Sequence, residues 1–433
     1  MIGSLRRLIE FVDPRAGAIA LGLAGLILVA GIVYANMLDD RLPYIDEQDY
    51  HAIATNVVTK HFFSNDGIRP NGSRAPLYPL LLAGLIALGA DVAELRLINI
   101  TALAMSVYLL YRMVRHIASP LAGVLAAALV VGYPVMFYIA GTLFPQALGG
   151  FLFVLALWLL SRSQTTDTLV ITGVVFGLLM LTIPMFIFTL MVVAAWLFVV
   201  EREARIRSLV ALVAPAMAVV AVWSVRNYLV FKAFVPLTTS MGAALLWGNS
   251  PQSTIGGADM DFLVRAFQES ASMNEAEANT HNFQLALRAI SENKLWVLGF
   301  YFLKVLNYFS FVNQHYAVSE TSVAKTVLMA MTYCPLLALF ALRLGWWRRF
   351  RPSAFEILLI GIYVSSAFFY AIFHTRIRYR LPYDFILIAV VAMFVTGWLA
   401  SRHPAWFRAK EPAREPVREA GAAGARSSSH TAR

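Results

Sequence analysis

The chain has 433 residues, 59% of them hydrophobic and only 14% charged. Soluble domains carry about 25% charged residues, so this composition excludes a water-coated globule and makes the bilayer the main solvent. The formal charge of +10 sits mostly in short Arg and Lys clusters at the ends of apolar runs, where topology signals belong, and nucleic-acid binding is not expected. Cys334 is the only cysteine, which leaves no intramolecular disulfide or cysteine metal site.

Apolar runs of roughly 20 residues, enough to cross about 30 Å of hydrocarbon, recur along nearly the whole length. The first, near 17–37, follows Arg6, Arg7 and Arg15; it is long for a signal-peptide core and reads as a retained signal anchor. Further spans are predicted near 97–115, 118–135, 145–161, 168–183, 184–200, 208–231, 324–343, 354–373 and 382–400. Two apolar stretches fit less well. Residues 77–90 are short and open with Pro76 and Pro79, and residues 295–312 contain Lys304 and Asn307, awkward groups to face lipid.

The positive-inside rule arbitrates. If neither stretch spans, the N-terminal arginines, Arg112/Arg115, Arg162, the 201–207 run and Arg343 with Arg348/Arg349/Arg351 share one face. If both span, several of these clusters flip outward. The expectation is an all-α polytopic membrane protein of the plasma (inner) membrane with about ten spans (10–12 at the outside). Outer-leaflet amphipathic helices and two cytoplasmic termini complete it. Residues 1–401 form one membrane domain with large outer loops at 38–96 and 232–323, and 402–433 form a disordered basic cytoplasmic tail.

In the first outer loop, LPYIDEQDYHAIATNVV starts at Leu42, and Ile53, Ala54, Val57 and Val58 recur at helical spacing. Asp46, Asp49 and Tyr50 then share one face at the start of a surface helix. Acidic residues there complement the helix dipole, but a carboxylate beside apolar walls can also have its pKa raised and serve as a general base. Spacing does not rank Asp46 above Glu47. Next, SRAPLYPLLLAGL places Arg74 beside Pro76 and Pro79 as a rigid, cationic entry to residues 77–90, either a snorkelling or an anion-binding arginine.

The last outer loop, HTRIRYRLP from His374, carries Arg376, Arg378 and Arg380 on the face where positive charge is disfavoured. Guanidinium groups bind phosphate by paired, charge-assisted hydrogen bonds, so this exception points to a lipid phosphate, with outer-leaflet phospholipid headgroups as the plainer alternative. Lys304 is a weaker candidate for the same phosphate, and His315, Tyr316 and Tyr379 are candidate lining residues. No His/Asp/Glu cluster with ligand spacing stands out, so no metal or other cofactor is assigned.

Taken in order, YIDEQDY (44–50), RAPLYPLLLAG (74–84), RNYLVFKAFVPLTTSMGAALLWGNSP (226–251) and RIRYRLPY (376–383) resemble GT-C membrane glycosyltransferases. The resemblance is to the family 39-like protein O-mannosyltransferase and aminoarabinose-transferase type, over about residues 10–400. It implies a polyprenyl-phosphate sugar donor, an acidic catalytic base mapping to Asp46 with Glu47 beside it, and donor phosphate contacts from Arg376, Arg378 and Arg380, with Lys304 and Arg74 behind them. The acceptor it implies is a lipid, glycan or protein. Two positions depart from the family pattern: Ile183 stands where an arginine is frequent, and Thr142 and Gln146 lie where an acidic residue is common. A transporter or flippase for lipid-linked saccharides, and a lipid-pyrophosphate glycan polymerase or ligase, are the competing readings.

Overall fold

The structure, a computed structural model, describes residues 2–312 and 322–404. Every predicted span is helical. Six helices are long and apolar enough to cross a bilayer: Phe11–Leu38, Val92–Ile117, Arg205–Phe231, Val323–Gly345, Ala354–Ala371 and Ile377–Arg402. The pair Pro120–Val131 and Pro134–Ala140 makes a broken seventh, bent by 61° where Pro134 removes a backbone donor. Gln146–Arg162, Thr166–Met180 and Phe186–Val200 are shorter apolar helices standing at three further predicted spans. The multi-pass, all-helical architecture read from the sequence is present.

Local chemistry explains where these helices begin. Ser119 accepts from the Ala122 N–H with Pro120 in the first turn, Ser322 accepts from the Lys325 N–H, and Ser353 accepts from the Glu356 N–H; each hydroxyl satisfies a donor that the helix leaves unpaired. Small residues set the closest packing. Gly173 and Gly177, spaced G-x-x-x-G, face the helix Arg205–Phe231, and a Cβ on Gly173 would run into the Leu212 carbonyl. Such spacing lets two backbones approach where lipid offers no hydrophobic drive to associate.

The surface helix predicted from the carboxylate cluster runs from Ile45 to Lys60 and buries Tyr50, Ile53 and Ala54. Leu77–Ala87 follows as an 11-residue helix, about 16 Å of rise and too short to cross. The second outer loop folds into Met241–Asn249, a two-residue antiparallel strand pair with Ser253 opposite Ala258, and the helices Met260–Glu269 and Glu275–Glu292. It continues into the helix Lys294–Tyr308. Glu275 ties the two loops together, accepting from the Gly72 N–H at 2.6 Å and the Thr239 hydroxyl at 2.7 Å. Thr239 N–H donates to the Gly72 carbonyl at 2.9 Å, and Arg226 donates to the Asn71 carbonyl at 2.8 Å.

Candidate active site

Asp46 and Glu47 are neighbours on one helix, and successive helical side chains diverge by about 100°. Glu47 turns inward and is 1% exposed. Its carboxylate accepts from the Leu143 N–H at 2.8 Å and from the Tyr44 N–H at 3.2 Å, which caps the surface helix and anchors it to the 142–146 turn. Burial raises the Glu47 pKa against these hydrogen bonds. Asp46 turns toward the arginines. One oxygen meets Arg74 Nη2 at 2.6 Å and the other meets Arg378 Nη1 at 2.6 Å.

Asp49 shares Arg74, its Oδ2 also 2.6 Å from Nη2, and the Arg74 guanidinium lies 5.2 Å from the Tyr50 ring centroid. The sequence placed Asp46, Asp49 and Tyr50 on one helix face, and the structure adds Arg74 against it. The electrostatics depart from expectation. Burial alone pushes the Asp46 pKa up, but Arg378 and Arg74 outweigh it and hold the carboxyl well below the ordinary carboxylate range. The anticipated upward shift is therefore found at Glu47 and not at Asp46, where two cations lie against the carboxylate.

The three arginines of the last loop part company because they enter a helix. Arg376 caps the helix Ile377–Arg402 and donates through Nε to the Gly256 carbonyl at 2.6 Å. Arg378, the second residue of the helix, lies over the rings of Phe144 and Tyr379 at 5.1 and 5.3 Å. Tyr379 in turn contacts His374 Nε2 at 3.1 Å, and burial together with Arg376 and Arg378 keeps that imidazole neutral. Arg380 is fully buried. It pairs with Asp384, donates to the carbonyls of Tyr308 and Ser310 at 2.7 and 2.8 Å, and lies 3.6 Å from the Tyr333 ring centroid.

Arg380 is thus corrected from a phosphate contact to a keystone inside the bundle, because helical spacing turns it away from Arg378. Lys304 is corrected in the same way. Also fully buried, it donates to the Gly248 and Phe373 carbonyls and to Asn249 at 2.7, 2.8 and 3.0 Å. Burial pulls the Lys304 pKa down to about 7, against three acceptors that call for the three N–H donors of an ammonium. The stretch from Trp247 to Gly257, to which the sequence assigned no role, therefore braces residues 372–376, with Asn249 donating to the Ile372 carbonyl at 2.8 Å. His315 and Tyr316 lie outside the described residues.

Arg376 and Arg378 open onto a cavity of about 210 Å³. Its walls are mainly apolar, with Pro134, Val135, Ile139, Phe144, Phe311 and Leu381 among them. Lys325 adds a third cation to the lining, its ammonium 5.0 Å from the Tyr138 ring centroid; Tyr138 and Tyr44 also line it, their hydroxyls in contact. Sequence reading missed Lys325. The signal was present, since it is a cation at the span end that the charge pattern assigns to the same face as the arginines. Among the described residues no group of three or more His, Cys, Asp or Glu side chains converges as a metal set.

Residues 73–245, under half of the chain, match the dolichyl-phosphate-mannose-protein mannosyltransferase family. Two crystal structures of the Archaeoglobus fulgidus oligosaccharyltransferase resemble the whole fold at 16% identity. The form tethered to an acceptor peptide aligns with 88% of this chain and 50% of its own at a TM-score of 0.53. The apo form aligns with 89% and 52% at 0.52. The chain therefore spans about half the length of those structures. ArnT from Cupriavidus metallidurans bound to undecaprenyl phosphate aligns at 13% identity over 88% of this chain and 79% of that one, with a TM-score of 0.44. No curated protein sequence matches. The chain has the fold of those oligosaccharyltransferase structures.

Proposed function

We propose that this GT-C-fold chain transfers a sugar from a polyprenyl-phosphate donor to an acceptor hydroxyl or amine at the outer face of the plasma membrane. One observation carries the reading: a carboxylate, Asp46, is held by Arg378 beside an apolar cavity that Arg376, Arg378 and Lys325 also line. Apolar walls suit a polyprenyl chain, and three cations suit its phosphate. The matched family's name, with its dolichyl-phosphate-mannose donor, supports a lipid-phosphate sugar. In this reading residues 1–401 act as one transferase unit with both termini cytoplasmic.

Asp46 takes the proton from the acceptor. The acceptor atom bonds to the anomeric carbon, the bond from that carbon to the phosphate oxygen breaks, and its electron pair leaves with the phosphate. Arg376, Arg378 and Lys325 stabilise the charge that collects there. The test is purified protein with a radiolabelled polyprenyl-phosphate sugar and membrane-derived acceptors. Released polyprenyl phosphate is the expected product, and Lys325→Ala raises the donor KM by roughly tenfold, as loss of one charge-assisted contact should. Translocation in proteoliposomes without donor cleavage would instead favour a transporter.

A further inference from the structure

We propose that Arg378 is a shared cation, held by Asp46 in this structure and drawn toward the lipid phosphate when the donor binds, so that donor binding frees the carboxylate to act. The inference rests on the transferase reading above and adds an order of events to it.

Geometry gives Arg378 two faces. Its Nη1 contacts Asp46 Oδ2 at 2.6 Å, while the same side chain lines the cavity and its buried Nε has no hydrogen-bond partner among the described residues. A guanidinium carries five N–H donors in a rigid fork, so it can meet a carboxylate and a phosphate at once. Arg74 is placed differently. It is committed to both Asp46 and Asp49 and lies against Tyr50, and it is not among the cavity-lining residues. Arg74 therefore keeps Asp46 in position while Arg378 is the partner that can be exchanged.

Charge balance supplies the reason for exchange. Before transfer the donor phosphodiester carries one negative charge and Asp46 another. The acceptor proton then moves to Asp46, which becomes neutral, and the electron pair of the broken carbon–oxygen bond moves to the phosphate, which gains a second negative charge. Total charge is unchanged, but it has crossed from one side of Arg378 to the other. As charge gathers on the phosphate, a cation that has moved to its side binds the transition state more strongly than the reactant state, which is the requirement for catalysis. The groups facing Asp46 are Arg74 from the entry to Leu77–Ala87, Arg378 and Tyr379 from the last helix, and Glu47, Asp49 and Tyr50 from its own helix. Of the two cations among them, only Arg378 also lines the cavity.

The test measures binding of undecaprenyl phosphate to the full-length protein in detergent. If Asp46 competes with phosphate for Arg378, Asp46→Asn tightens binding by about tenfold, although it abolishes transfer. Arg378→Gln weakens binding, and the double variant binds no more tightly than Arg378→Gln alone. Asp46→Ser removes the same charge and replaces the Asn variant if that one does not fold. Unchanged or weaker binding in folded Asp46→Asn or Asp46→Ser, with transfer still abolished, overturns the shared cation and leaves the transferase reading standing. A wild-type protein that neither binds the lipid phosphate nor cleaves a donor overturns both.

Discussion

Asp46 and Glu47 are adjacent acidic residues with opposite fates. Asp46 is about a quarter exposed and ion-paired, whereas Glu47 is sealed against two backbone N–H groups. Asp46→Asn should lower turnover by about 10²- to 10⁴-fold, the range for loss of a general base, as followed by donor cleavage. Because Arg378 and Arg74 depress the Asp46 pKa below its reference of 3.8, the clamp's stabilisation is complete above that value and is lost only as pH falls through the lower folded pKa. Donor kcat/KM should therefore show no Asp46 limb between about pH 5 and 8. Arg378→Gln should bring an acid limb upward toward that window. Glu47→Gln keeps the volume but weakens two buried hydrogen bonds to a charged acceptor; a loss of about 1–3 kcal/mol is expected, read from thermal melts in detergent.

At the scale of elements, the last helix does most to organise the site. Its first turns present Arg376 and Arg378 to the cavity and bury Arg380 against Asp384 and the end of Lys294–Tyr308. Lys304 supports the same turn from behind, tying residues 248–249 to residue 373. Lys304→Met leaves two carbonyls and an amide oxygen without their donor, so it should destabilise the protein by about 3 kcal/mol or more and raise the donor KM by loosening Arg376. Melting temperature and donor titration together check this. A separate prediction concerns helix packing: Gly173→Leu places a side chain against the Leu212 backbone and should cost about 1–3 kcal/mol through overpacking, with the loss visible in detergent melts.

For the whole molecule, contact between distant loops bears on topology. Asp46 reaches Arg378 across more than 300 residues of sequence, and Glu275 reaches Gly72, so the loops at 38–96, 232–294 and 374–381 lie on one face of the bundle. Charge asymmetry assigns that face to the outside. In a Cys334→Ser background, a membrane-impermeant maleimide added to intact cells should label Asn65→Cys, while Glu203→Cys should react only after permeabilisation. Equal labelling of both sites before permeabilisation would refute the assigned orientation.

The positions of the spans were legible in the sequence because hydrocarbon thickness imposes a run length that local composition must satisfy. The rule-breaking arginines and the acidic surface helix were legible for a related reason, since charge at a membrane face is locally costly or locally informative. What those charges do was decided by tertiary structure alone. Arg376, Arg378 and Arg380 read alike as a string, yet helical phase sends two to a cavity and one into the core. Lys304 and Glu47 became internal struts because buried polar groups must find partners, and their partners are backbone atoms far away in sequence. Composition thus determined a multi-pass membrane bundle, and only the packing of its outer loops determined that Asp46, Arg74 and Arg378 form one charged cluster.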